Sequence, residues 1–239
     1  MELHDWVAVA VVVLAGFVRG VTGFGGAMVM APPLSLLLGP VQAVVVTLML
    51  ETFAAIPLFP KALPQVNWRI LAYLTIPAGF TVPLGGYLLM TLDPAIGRKL
   101  ISLVVVVFSV LLLSGIRYSG TPRSSTSVAL GTIVGVLLGS TSVGAPPVIL
   151  YLMSSSDPHR VTRANLTVFV TAISVIGLVM LFAAGAVTRA FAAYAALLAA
   201  PYIVATWIGG QVFETLSEAA SRRFALIFMF AMGLYGLFA

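Results

Sequence analysis

The sequence predicts an all-α polytopic membrane protein made of two homologous repeats. Three observations carry that prediction. The 239-residue chain is 61% hydrophobic and only 8% charged. Apolar runs of about 20 residues, the length that crosses a hydrocarbon core of roughly 30 Å, recur along it. A glycine-broken apolar segment occurs twice, at matching places in the two halves. The period-two alternation of barrel strands is absent. With no cysteine there is no disulfide framework and no thiolate ligand, and neither a cofactor nor a metal is expected. The net charge of +5 sits mostly in loops, where it sets topology rather than marking a nucleic-acid partner. Glu2 and Asp5 stand where a secretory leader would be basic, so the first apolar segment reads as a membrane segment.

Long apolar segments are expected near 6–38, 41–60, 69–91, 97–116, 127–153, 163–184, 190–211 and 222–239. Pro40, Asp93-Pro94 and Asp157-Pro158 punctuate their ends. The first segment contains Gly20–Gly26, reading Gly-Val-Thr-Gly-Phe-Gly-Gly. Each glycine costs a helix interior about 1 kcal/mol relative to alanine, so four in seven residues argue for an interruption. The fifth segment contains Gly139–Pro147, reading Gly-Ser-Thr-Ser-Val-Gly-Ala-Pro-Pro, with the proline pair where a new half-helix would start. The plainer alternative is that these glycines only let helices pack closely.

The halves repeat: 1–116 is the first, 117–126 a polar linker and 127–239 the second. Thr22, Gly25 and Gly26 align with Thr141, Gly144 and Ala145; Pro40 aligns with Pro158, and Thr47 with Asn165. At a shift of 124, Pro77, Gly85 and Gly86 align with Pro201, Gly209 and Gly210. Such a duplication is the mark of a transporter with its site at the broken helices. Lys and Arg placement gives the relation between the halves. If all eight segments cross, the two sides carry near-equal basic charge. If the broken segments are re-entrant hairpins, each half has three crossings and the halves are inverted. Lys61, Arg69, Arg117, Arg123, Arg160, Arg163, Arg222 and Arg223 then share one side, against Arg98, Lys99 and Arg189. The arms Trp6–Arg19 and Ala27–Leu38 also look too short to cross. The expectation is therefore six crossings plus two hairpins, with the basic side cytoplasmic and both termini periplasmic. A broken but fully crossing first segment is the alternative.

Irregular backbone at membrane depth survives only where it is buried in protein or lines a cavity. There, unpaired N–H groups and a half-helix's positive end form an anion site without a charged side chain. The candidate substrate-binding residues are Arg19, Thr22, Gly23, Phe24, Gly25 and Gly26 at the first break, and Thr141, Ser142, Val143, Gly144 and Ala145 at the second. Ser140 adds a hydroxyl, and Thr47 and Asn165 either line the path or hydrogen-bond between helices. Glu51 and Arg19 are charges within apolar segments, functional candidates by default. They either lock to each other, or Arg19 faces the anion while Glu51 positions it or carries a proton. Trp207 reads as core, and Arg160 and Arg163 as orientation signals, with attraction of anions to the cytoplasmic mouth as their alternative. His4, His159 and the three aspartates lie at segment ends, which argues against an enzyme.

At the two breaks and at the Pro-x7-Gly-Gly patterns Pro77–Gly86 and Pro201–Gly210, the chain resembles the sulfite exporter TauE/SafE family, also called the four-toluenesulfonate uptake family. Ala145 departs from a second glycine there. The resemblance implies export of sulfite, sulfoacetate or other organosulfonates across a bacterial inner membrane by a secondary transporter. An anion channel of the same architecture, or organosulfonate uptake, is the alternative. The expected partners are a small anionic substrate and the lipid bilayer, with a homodimer as an option and no nucleic acid.

Overall fold

A computed structural model describes residues 3–56, 58–115, 123–152, 158–213 and 218–238. Most of the linker lies outside these residues. The described chain is helical: α1 Leu3–Thr22, α2 Gly26–Leu38, α3 Pro40–Ala55, the short α4 Phe59–Ala62 with a 3-10 turn Leu63–Gln65, α5 Trp68–Thr91 and α6 Pro94–Leu113, then α7 Ser124–Thr141, α8 Ala145–Leu152, α9 His159–Ala183, α10 Arg189–Phe213 and α11 Glu218–Phe238. Every expected apolar segment is found, and the first and fifth are each broken into two helices.

Local chemistry sets the boundaries. Asp93 caps α6, accepting the Ala95 N–H at 2.8 Å, and Pro94 occupies the first helical position. The helix thus starts three residues before the expected segment. Asn67 caps α5 in the same manner. Pro146 and Pro147 fall in the first turn of α8, as expected, whereas Pro32 and Pro33 lie inside α2.

The extent of the breaks differs from expectation. Gly20 and Gly139 do not break their helices; both stay helical. The chain leaves the helical path only at Gly23 and Gly25, both at positive φ, and at Ser142, at φ 60°. Because Gly20 continues the helix, α1 runs 20 residues rather than ending at Arg19, about 30 Å at 1.5 Å per residue. Among the described residues, six helices are long and apolar enough to cross a membrane: α1, α5, α6, α7, α9 and α10. The set includes the first arm of each broken segment and omits α3, so α1 is not too short to span. On α5, Ile76, Phe80, Leu84 and Tyr87 are all exposed, an apolar stripe suited to lipid tails rather than water. The chain is a multi-pass membrane protein.

The glycines that stay helical serve packing. Gly16 and Gly20 of α1 press onto Tyr202, Thr206 and Gly209 of α10. Gly131, Gly135 and Gly139, one helical turn apart on α7, press onto Leu74, Ala78 and Val82 of α5. Between apolar helices, which gain nothing from leaving lipid, such close approach supplies the attraction. It also explains the paired Gly-Gly motifs: Gly85 packs on α7 and Gly209 on α1. Each broken segment therefore packs on the long helix of the other half. Two cores result, and each draws on both halves. One gathers α1, α2, α6, α10 and α11, the other α5, α7, α8 and α9, with α3 contributing to both.

The second break is also tied by a side chain. The Tyr151 hydroxyl on α8 lies 2.7 Å from Ser127 Oγ and 3.0 Å from Thr126 Oγ1, at the start of α7. α2 and α3 reverse at Gly39, so Glu51, about 18 Å along α3 at 1.5 Å per residue, returns level with Gly26.

A methyl added at Gly139 would overlap the Val82 carbonyl oxygen and lie 2.8 Å from the Gly86 nitrogen, whereas one at Gly210 meets nothing within 4 Å. Gly139→Ala is therefore expected to destabilise by about 1–3 kcal/mol, as overpacking does. Gly210→Ala should stay within roughly 0.5 kcal/mol of the parent. Unfolding in detergent micelles, followed by circular dichroism, compares the two.

Candidate functional site

The two breaks meet at one cavity of about 580 Å³. Gly23, Phe24 and Gly25 line it from the first break, and Ser142, Val143, Gly144 and Ala145 from the second. The rest of its wall comes from the ends of α1 and α3, one face of α9 and the second half of α10. Most of that wall is apolar. Its charged members are Arg19, Arg163 and Glu51, two cations against one carboxylate.

Arg19 and Glu51 are 8% and 5% exposed and form an ion pair. Tyr202 of α10, fully buried, donates its hydroxyl hydrogen to Glu51 Oε1 at 2.7 Å. The trio joins α1, α3 and α10. It also accounts for Gly26, where an added Cβ would overlap the Tyr202 hydroxyl and lie 2.6 Å from Glu51 Oε1. The carboxylate sits at the start of α2, where the helix dipole favours negative charge. The mutual lock weighed from the sequence is present, and Arg19 also reaches the cavity wall. At the aligned positions of the other half stand Leu138, Phe169 and Ala78, all apolar.

The threonines at the breaks do something other than face the cavity. Phe24 N–H donates to Thr22 Oγ1 at 3.3 Å, and Val143 N–H donates to Thr141 Oγ1 at 3.2 Å. Thr141 in turn donates to the Leu137 carbonyl at 2.6 Å. These matched bonds shape each turn and use two of the N–H groups that sequence reasoning offered to an anion. Backbone donors remain at the helix starts, where the first turn has no intrahelical acceptor. α2 presents Gly26, Ala27 and Met28. In α8, Pro146 and Pro147 carry no N–H, which leaves Ala145. The proline pair thus starts the helix but weakens it as an anion binder.

Other expected residues lie elsewhere. Thr47 is buried away from the cavity. Asn165 is also off the wall; its side-chain oxygen accepts the Asn67 N–H at 2.9 Å and anchors the start of α5. Gly25 turns its missing side chain toward Met229 and Val18 rather than toward the cavity centre. Trp207, expected in the core, is 66% exposed and stands on the cavity wall.

Sequence reasoning missed the polar stripe of α9. Arg163, Thr167 and Ser174 line the cavity together with Leu166 and Val170. Their spacing keeps them on one helical face. The side chain of Arg163 lies beside Gly23, its Nε 3.6 Å from where a Cβ would be. Arg163 read first as an orientation signal, and its place on the cavity wall fits the alternative, attraction of anions to the mouth. The available signal was three polar residues at helical spacing in an apolar segment.

Removing one member of a buried ion pair strands the other and costs about 3–5 kcal/mol. Glu51→Gln and Arg19→Gln are each expected to lose stability on that scale. The double variant should recover most of the loss. Tyr202→Phe, which leaves the pair intact, should cost less, about 1.5–3 kcal/mol for a hydrogen bond to a charged group. Thermal unfolding of the four purified variants measures all three differences.

Searches of curated proteins and of solved structures found no match. The profile described as Sulfite exporter TauE/SafE matches residues 8–236, nearly the whole chain. It covers the two broken segments that enclose the cavity, and both Gly-Gly motifs. The protein belongs to the sulfite exporter TauE/SafE family.

Proposed function

We propose that the protein is a secondary transporter that exports a small sulfur-containing anion across the bacterial inner membrane, binding it in the cavity between the two breaks. Family membership supports membrane transport of sulfur anions. The observation that carries the site is that breaks from both halves enclose one cavity whose charged wall holds two arginines and one glutamate. Arg19 is neutralised by Glu51, and Arg163 has no carboxylate partner among the described residues. A monovalent anion therefore compensates the excess charge. The volume lies within the range of small-molecule sites, and the apolar wall of Phe24, Leu138, Val143, Leu166 and Val170 suits an organosulfonate with a carbon body. An inside-negative potential expels an anion by about 2.3 kcal/mol per charge per 100 mV, so export needs no coupled ion.

Alternating access would come from movement of one half against the other around the cavity. The crossed packing, α1 on α10 and α7 on α5, supports an inverted-repeat reading. The bond from Tyr151 back to the start of α7 supports a re-entrant second segment, since a hairpin that enters and leaves on one side brings its ends together.

Two measurements test this reading. Purified protein in liposomes should move sulfite or a short alkanesulfonate outward under an imposed potential, and no flux above empty liposomes overturns it. For the topology, the absence of native cysteine allows single-site labelling. A cysteine at the exposed Ser124 should be shielded from impermeant reagent in intact cells, and one added at the C-terminus should react. Reaction at both rejects the inverted arrangement.

A further inference from the structure

Four hydroxyl side chains line the cavity: Ser142, Thr167, Ser174 and Thr206. Three have spent their hydrogen on backbone carbonyls. Ser142 donates to Thr141 O at 2.5 Å, Thr167 to Arg163 O at 2.9 Å and Thr206 to Tyr202 O at 2.8 Å. Ser174 has not. It is 1% exposed, and its hydroxyl has no hydrogen-bond partner. A serine inside a helix ordinarily satisfies itself by donating to the carbonyl four residues back. Thr47, Thr75, Ser102 and Ser109 also hold buried hydroxyls without a partner, at a cost of about 1–3 kcal/mol each, but among the described residues only Ser174 combines that state with a place on the cavity wall, where a ligand can complete it.

Ser174 also occupies a particular place. Three residues further along α9, Gly177 packs on Leu48 of α3, Val82 of α5 and Leu138, the last in the final helical turn before the second break. Arg163, at the other end of the stripe, is exposed and lies beside the first break at Gly23. The stripe from Arg163 to Ser174 is about 16 Å long at 1.5 Å per residue, so α9 runs along the cavity from one break to the other. The aligned positions on α3 are Val45, Met49 and Ile56, and none of them is polar.

We propose that Ser174 is a substrate-binding residue: at the closed end of the cavity its hydroxyl donates to an oxygen of the bound sulfonate or sulfite, after Arg163 has captured the anion at the open end. The assignment rests on the transport reading above. Val170, between the two polar positions, and Leu138 opposite give the carbon body of a sulfonate an apolar surface while its head reaches the hydroxyl.

A structural role and a binding role for Ser174 predict opposite results. Removing an unpaired buried hydroxyl should leave thermal stability unchanged or improved in Ser174→Ala. Loss of a hydrogen bond to a charged ligand should raise the KM for ethanesulfonate and for sulfite by about tenfold or more. The same variant should lose the thermal shift that either anion gives the parent in detergent. Ser174→Thr, which keeps the hydroxyl, should retain binding within a few fold. Arg163→Gln should slow uptake into the site at low salt and lose its effect as salt rises, because capture by an exposed charge is screened. Undiminished binding and flux in Ser174→Ala overturn the assignment of Ser174 alone. Destabilisation of Ser174→Ala with unchanged KM does the same. Absence of both binding and flux in the parent overturns the transport reading and this assignment with it.

Discussion

Contact between backbones, without side chains between them, is the constraint on which the rest of this structure depends. Gly16 and Gly20 of α1 meet the backbone of α10, and Gly131, Gly135 and Gly139 of α7 meet that of α5. A helix interrupted in a bilayer loses internal hydrogen bonds and needs protein around the exposed groups. Seating each interrupted helix directly on a long neighbour provides that cover. The breaks can then occur where the seated arm ends, at Gly23–Gly25 and Ser142–Gly144, facing a common cavity.

The two breaks are matched in path but not in chemistry. Both use a threonine to close the turn. Only the first carries a charge cluster, in which Glu51 neutralises Arg19 and takes up the Tyr202 hydroxyl. Only the first half-helix begins with consecutive N–H groups, since in the second Ala145 is followed by Pro146 and Pro147. The second compensates with the length of α9 running past it and the uncommitted hydroxyl of Ser174. A single arrangement of helices therefore gives the cavity two unlike ends.

Much of this was legible in the sequence. The eight apolar segments, the two interruptions and the caps at Asp93 and Pro94 follow from composition, period and local stereochemistry. The convergence of the breaks followed from the duplication. The role of each glycine did not. Gly20 and Gly23 read alike in a motif, yet one is helical against α10 and the other turns the chain, and only the identity of the facing helix separates them. Thr22 and Thr141 were correctly placed at the breaks, but whether a hydroxyl bonds its own turn or faces outward depends on a side-chain torsion. Tyr202 and Ser174 were passed over because one polar group in an apolar segment does not say which face it occupies until its neighbours are fixed. For Asn165 the sequence left the path and a bond between helices open, and the tertiary contact with Asn67 is the second.

The glycine seats have a consequence for how such a protein can change. Substitutions on the cavity-facing side of α9 or α10 leave the glycine contacts that hold α1 and α7 untouched. Mutations at Val170 or Trp207 are therefore largely uncoupled from folding, whereas almost any mutation at Gly139 is not. Under the transport function proposed above, the cargo repertoire of this architecture is free to drift through a few wall residues while its seams stay fixed. A lineage can acquire a new specificity in small steps without passing through unstable intermediates.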